Sequence, residues 1–439
     1  MRIALGLTTA AAVLAAVVAY GTHPVWAQYP HGLGLILFSR QVQWPALFLS
    51  LAAALAVVAL VIAGRQRAWW LLGLAPVMAL FAHRFATDPT AGMASIEDPQ
   101  FVPAAQASFV NDDDFVVGLT FGDKAYAYPY AALYSTPAVV HAQHDKRVLV
   151  MWSAMANRAV ATTITRAIRA RYLDVVSTPA NALLLYDTSR GQFINGLTAM
   201  TPAGEKPVGF QSTVPTVKMP WRQWRAQRPD TLVMMPAGKL SAKAPRQPLL
   251  PSCPMPRGVG GEQAGQQVAL VGTTSPAAFL ASHLQAAPLN VTADGAPVVA
   301  FRDPRSQCVR AFARKLDDLA PRFKANRDVA RAAKGALFVD LDTDTGWNAD
   351  GVAVDAKKEF RNKKLNPVAA EDGLYWGVMK FWYPKLELTP VEAPQGTTVA
   401  SAAPTTAPSA RARTPRTRAD KIARGTTKRR PPVQQSRAE

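Results

Sequence analysis

The sequence predicts a mainly β (α+β) protein in which N-terminal transmembrane helices precede two β-rich, duplicated domains and a disordered basic tail. Three observations lead there. Apolar residues crowd into the first 84 positions, short apolar runs broken by turn formers fill the middle, and a set of Gly, Trp and Pro residues returns 155 positions later. The expected divisions are a membrane anchor at 1–84, a first domain at 96–235, a linker at 236–256, a second domain at 257–388 and the tail at 389–439.

The anchor rests on three segments. Residues 4-ALGLTTAAAVLAAVVAY-20 follow Met1 and Arg2, and 46-ALFLSLAAALAVVALVIAG-64 runs nineteen residues without a charge. Crossing a bilayer takes about 20 apolar residues. The third segment, 68-AWWLLGLAPVMALFAH-83, is shorter and contains Pro76, and Trp69 and Trp70 at its start suit an interfacial belt. The first segment reads either as a third transmembrane helix or as a signal peptide cleaved after 25-VWA-27. Arg65 and Arg67 lie in the turn between segments two and three, and retained positive charge places that turn in the cytoplasm. The large domains are then exported, which predicts an inner-membrane protein facing the periplasm or exterior, with the lipid bilayer as a partner of residues 1–84.

Lys and Arg outnumber Asp and Glu by 49 to 30, a net charge of +19. Such a surplus favours polyanions such as anionic lipid or acidic wall polymers. The tail holds ten basic and three acidic residues and almost no apolar residue able to anchor a core, so it cannot offset the entropy of ordering. Residues 411–430 are its candidate tether to a polyanion or anionic lipid; specific nucleic-acid recognition is not expected outside the cytoplasm.

In the first domain 115-FVVGLTF-121 and 124-KAYAYPY-130 flank Gly122-Asp123, a hairpin pattern. Further strands are expected at 147–152 and 182–187, and a short helix at 220–230 is stopped by Pro229. Asp187-Thr188, Gly191, Gly196, Trp221 and Pro229 recur 155 positions on as Asp342-Thr343, Gly346, Gly351, Trp376 and Pro384, while Leu133 and Pro137 recur 151 on as Leu284 and Pro288. A period of this length implies duplicated domains, since solenoid units run about 20–50 residues.

Candidate chemistry is sparse. His141, His144 and Asp145 in 141-HAQHD-145 form the one close ligand cluster and could hold a divalent metal, provided a turn brings together side chains three apart. Two exposed loop histidines are the simpler reading, and no cofactor is otherwise expected. Cys253 and Cys308 fall in the exported part, where an oxidising compartment allows a disulfide worth about 4 kcal/mol. The run 340-DLDTDTGWNADG-351 alternates aspartates but has Thr345 and Gly351 where a calcium loop needs Gly and Glu, so it reads as a polar hairpin turn. The stretch 258-GVGGEQAG-265 lacks the Lys-Ser/Thr of a phosphate loop.

The ordered set 96-IEDPQFVPAAQASFVNDDDFVVGLTFGDKAYAYPYAAL-133, 148-VLVMWSAMANRAVA-161, 183-LLLYDTSRGQFINGLTA-199 and 221-WRQWRAQRPDT-231 resembles the exported bacterial family called domain of unknown function 3179. The resemblance covers the first domain, with the second as a degenerate relative. It implies a site at the end of the strand at 148, where members carry Cys-Pro-Leu-Cys. Here Ser153, Ala154, Met155 and Ala156 stand instead, followed by Asn157. By that resemblance Ser153, Met155, Ala156, Asn157 and Tyr128 are the ligand-binding candidates of a degenerate site. Paired thiolates can bind a soft metal or cycle through a disulfide; serine and alanine do neither. The functional expectation is a membrane-anchored, exported, non-catalytic protein that binds or assembles at the cell envelope. The alternative is a metal-dependent or redox enzyme built on His141 and His144.

Overall fold

The structure is a computed structural model; it describes residues 2–391 except 88–91, 241, 243, 253–254, 256–257, 274, 286, 317, 356–359 and 362. Cys253, and the tail from 392 on with its candidate tether at 411–430, lie outside the described residues. Thr389 N donates to Ala278 O, and Val391 packs on a buried cluster of the second half. The chain therefore stays folded slightly beyond the expected boundary at 389.

Two helices are long and apolar enough to cross a membrane, by length and composition: α1 (Arg2–Tyr20) and α2 (Gly32–Ile62). Helix α2 begins fourteen positions before the apolar run at 46, because Ser39, Arg40, Gln41 and Gln43 interrupt the hydropathy without breaking the helix. The third segment is a 3-10 turn, Ala68–Leu74, leading into the shorter α3 (Ala75–Thr87), with Pro76 in the first turn where no amide bond is lost. Small residues let the helices meet. Ala4, Ala11 and Ala15 are fully buried, Val77 and Ala53 pack beside them, and Ser50 Oγ donates to Ala11 O at 2.8 Å. The outer faces carry exposed Leu5, Val13, Phe48, Leu55 and Ile62.

The remaining described chain is mostly β-sheet. In its first half come β1 (Ser95–Glu97), β2 (Phe101–Pro103), β3 (Phe115–Phe121) and β4 (Lys124–Pro129), then the single turn α4 (Tyr130–Leu133). There follow β5 (Ala138–Gln143), β6 (Lys146–Ser153), β7 (Arg158–Ile164), β8 (Leu173–Ser177), β9 (Leu184–Asp187) and β10 (Gln192–Asn195). Finally come β11 (Phe210–Val214), β12 (Thr216–Pro220), α5 (Trp221–Gln227) and β13 (Leu232–Met234). Three sheets result, ordered β12-β3-β4-β13-β2, β1-β5-β6-β7-β11 and β10-β9-β8. Gly118 in β3 lies under Trp224 of α5, where a Cβ would come within 2.6 Å of the indole, so this helix–sheet packing requires glycine.

The second half contains β14 (Gln267–Val271), β15 (Ala277–Leu280), β16 (Leu289–Ala293), β17 (Ala296–Arg302), β18 (Val309–Ala313) and β19 (Phe323–Ala325). After α6 (Val329–Ala333) come β20 (Phe338–Asp340), β21 (Gly346–Trp347), β22 (Ala353–Asp355), β23 (Pro367–Val368), β24 (Ala370–Tyr375) and α7 (Trp376–Trp382). Its sheets are ordered β24-β14-β15, β16-β17-β18-β23 and β19-β20-β21-β22. The orders β24-β14-β15 and β16-β17-β18-β23 resemble β12-β3-β4 and β5-β6-β7-β11 of the first half, and α7 follows β24 as α5 follows β12.

Asp187, paired with Leu173, and Asp340, paired with Phe323, each close their strand ahead of a turn. Both carboxylates are buried and accept the amide of the residue two further on, Ser189 or Asp342. Gly191, with φ 65°, then matches Asp344, with φ 59°, a left-handed position that glycine fills without strain and aspartate tolerates. The aspartate-rich run is accordingly a hairpin turn: Asp340 accepts from Thr343 Oγ1 at 2.6 Å and from Trp347 Nε1 at 2.9 Å.

The helices dock on the first half. Ser177 Oγ donates to Thr22 O at 2.6 Å, Arg40 pairs with Asp174 at 2.5 Å, and Ala27 and Ile36 pack with Val176, Leu184 and Phe193.

Candidate functional site

Strand β6 is buried along nearly its whole length and delivers Ser153 to its end, where the chain leaves the sheet in one 3-10 turn, Ala154–Ala156. Asn157 closes the turn in the left-handed conformation (φ 49°, ψ 41°), which a short amide side chain tolerates better than most. Each polar group here has an internal task. Ser153 Oγ accepts from Leu183 N at 3.0 Å; Asn157 Oδ1 accepts from Tyr130 OH at 2.9 Å, and its Nδ2 donates to Gly373 O at 3.3 Å. Ala156 is fully buried, and Met155, half-buried, receives a hydrogen bond from Ser252 Oγ on its sulfur at 2.9 Å. The cavity beside Ser153 and Met155 holds only about 20 Å³, space for roughly one water. The end of β6 is a filled turn.

Tyr128, on β4, does not join this turn. Its hydroxyl lies 2.9 Å from His141 Nδ1, inside an aromatic core where the rings of Phe101, Tyr126 and Phe121 stand 5.2, 4.7 and 5.8 Å from the imidazole. Burial pushes His141 down to about 4, so the ring is neutral, and pushes Tyr128 well above the usual phenol range. His144 and Asp145 are exposed at the tip of the β5–β6 hairpin, where His144 has φ 55°. The geometry separates the three candidate metal ligands: one imidazole is sealed in the core, and the others face solvent. Among the described residues no group of three His, Cys, Asp or Glu is placed to hold a metal. Among the described residues Cys308 has no disulfide partner, and burial is the chief cause that pushes its thiol up to about 11; its expected partner Cys253 lies outside the described residues.

A second cluster escapes sequence reading because its members come from distant strands. Where β7 and β12 meet β24, Arg158 pairs with Glu371 at 3.4 Å, and both side chains are buried. Lys218 Nζ donates to Asn157 O and, at 3.0 Å, to Asp372 O. Asp372 in turn pairs with Arg302 at 2.7 Å. Burial lowers the Lys218 ammonium from its ordinary range, opposed by the charges of Glu371 and Asp372. The adjoining cavity is again only about 20 Å³. A polar residue amid an apolar strand, such as Lys218 in 216-TVKMP-220, was the one signal in the sequence.

The contacts along this seam obey the spacing of the two halves. Thr216 Oγ1 donates to Glu371 Oε1 at 3.2 Å, a contact between residues 155 apart. Asn157 Nδ2 reaches Gly373 O, and Cys308 Sγ donates to Lys218 O at 3.5 Å. Cys308 follows Asn157 by 151 positions and Gly373 follows Lys218 by 155.

No curated protein and no solved structure matches the chain. A family model described as "Protein of unknown function (DUF3179)" matches residues 90–385, and so spans both halves and the segment that joins them. With two-thirds of its length matched in one stretch, the chain belongs to this family, DUF3179.

Proposed function

We propose that the chain is a membrane-anchored, exported protein with a non-catalytic role in binding or assembly at the cell envelope. The observation that carries this is the closed turn at 153–157. Its polar groups are committed to one another, and the space beside them admits about one water. By resemblance the family places a cysteine pair there; Ser153 and Ala156 offer no thiolate, and a substrate would find no opening. The anchor is supported by the length and apolar composition of α1 and α2 and by the exposed Phe48, Leu55 and Ile62 on α2. Orientation follows from Arg65 and Arg67 at the opposite end of α2 from the docked β-sheets.

The two halves, in this reading, are duplicated units that meet through the seam, one fixed on the helices and the other presented beyond it. The common strand order and the contacts 155 residues apart support it. The tail adds a polyanion tether at 411–430, supported by charge alone.

Reporter fusions at residue 92 test the topology: activity is expected in the exported compartment, and a cytoplasmic signal would overturn the reading. Metal analysis of the purified full-length chain tests the chemistry. The expected result is no stoichiometric zinc, copper or iron; a stoichiometric metal would replace this reading with a metalloenzyme.

A further inference from the structure

Between α2 and the first half of the β region lies an open cavity of about 430 Å³, within the roughly 300–1,000 Å³ of small-molecule sites. It has nothing to do with the turn at 153–157. Arg40, Gln43 and Trp44 line it from the helix, Arg171 from the 3-10 turn before β8 and Asp174 from β8 itself.

Its height is set by α2. From Pro45 onward the helix is apolar through Ile62 and the chain carries no charge until Arg65. Those eighteen residues, at about 1.5 Å each, span roughly 27 Å, close to the ~30 Å thickness of a bilayer core. Trp44, exposed at the start of that span, has the amphipathic ring typical of the membrane–water boundary. The cavity, lined by the residues just before it, therefore lies at the level of the lipid head groups.

Its charges are of both signs. The Arg40 guanidinium is held by Asp174 at 2.5 Å and Gln43 at 3.1 Å and sits over the Tyr186 ring. The Asp174 side chain nevertheless remains 45% exposed. Arg171, exposed, stacks on Tyr172 with its guanidinium carbon 4.7 Å from the ring centre. A phosphodiester suits guanidinium donors, and an accessible carboxylate beside them suits an ammonium with N–H donors. A head group with phosphate and hydroxyls only would set its sole charge against Asp174 as well as the arginines, and a quaternary ammonium has no N–H to donate.

The geometry points to a binding site for the head group of a zwitterionic phospholipid, a phosphodiester joined to a primary ammonium, with Arg40 and Arg171 at the phosphate and Asp174 at the ammonium. The site rests on the membrane-anchored reading above and adds lipid selectivity to it.

The test uses the full chain in nanodiscs with equal parts phosphatidylethanolamine, phosphatidylglycerol and phosphatidylcholine, with retained lipids counted by native mass spectrometry. Phosphatidylethanolamine should be retained about fivefold over the other two, the scale of one partly exposed ion pair. Asp174→Asn should abolish that preference, and Arg171→Gln, at an exposed position outside the packed core, should lower retention of all three lipids. Equal retention of the three by the unmodified chain, or an unchanged preference in a folded Asp174→Asn variant, would overturn the site. If Asp174→Asn does not fold, unchanged retention in Arg171→Gln overturns it instead. An alkaline wash of membranes separates the two readings: a chain released by it refutes the anchor together with the site. A chain that stays with the membrane and shows no preference refutes the site alone.

Discussion

Thr216 and Glu371 stand 155 positions apart in the sequence, and they touch: the threonine hydroxyl donates to the carboxylate at 3.2 Å. Thr216 lies opposite Leu119 across β12 and β3, and Glu371 opposite Leu270 across β24 and β14. Each half thus presents its edge strand to the other at the same point. One side chain is neutral and the other acidic where they meet. The acidic one is matched by Arg158, and the network extends to Lys218 through Asn157 and Asp372.

The seam should therefore be costly to disturb from one side. Glu371→Ala leaves the buried Arg158 without its carboxylate and should destabilise the fold by about 3–5 kcal/mol. Replacing both partners, Arg158→Met with Glu371→Leu, should cost clearly less than the sum of the single changes. Denaturant titration of the three variants in detergent measures the coupling; additive losses would mean the pair is not a unit.

Asn157 serves by conformation and by contact. Asn157→Ala loses the bond from Tyr130 and places alanine at φ 49°, a combined cost of about 2–4 kcal/mol. Asn157→Gly loses the same contacts without the left-handed strain, so it should be more stable than the alanine variant by about 1 kcal/mol. Thermal unfolding of the pair separates the two contributions.

His141 predicts a pH dependence of stability. Its folded-state value of about 4 lies below the ordinary 6.5, so the unfolded chain binds the proton more readily. The stabilisation is full above pH 6.5 and is lost as the pH falls from there through 4. His141→Gln cannot take up that proton and can still hydrogen-bond the Tyr128 hydroxyl. Its melting temperature should fall less over that window than that of the unmodified chain; parallel curves would assign the acid loss to other groups.

Cys308 should be a sluggish thiol. Raised to about 11, it carries little thiolate at pH 8 and is partly covered. In reduced Cys253→Ser protein, iodoacetamide should label Cys308 slowly in the folded state and rapidly in urea. Equal rates would show that the seam opens readily at this point.

The β-rich architecture was legible because local patterns carry it. The Gly122-Asp123 turn, the alternation in 115–121 and the helix before Pro229 are set by residues close in sequence. The helical extension from Gly32 to Trp44 was not, since Arg40 answers to Asp174 and Tyr186 across the fold and not to the apolar bilayer core. The same limit applies to the seam. Arg158, Lys218 and Glu371 look like scattered surface charges until the strands that bear them are brought together. The constant spacing of 155 pairs Trp221 with Trp376, which open α5 and α7, but it does not say which strands meet.

The stretch from Thr22 to Gln28 links α1 to α2, yet it is pressed against the first half, with Pro24 and Ala27 buried and Ser177 bonded to Thr22 O. A flexible leash would let the sheets tumble. This one is bolted at Thr22, and Arg40 on α2 adds a second tie through Asp174, so the sheets and helices turn together as a shaft and its head. Torque applied to the first half by anything it grips would pass straight into α2.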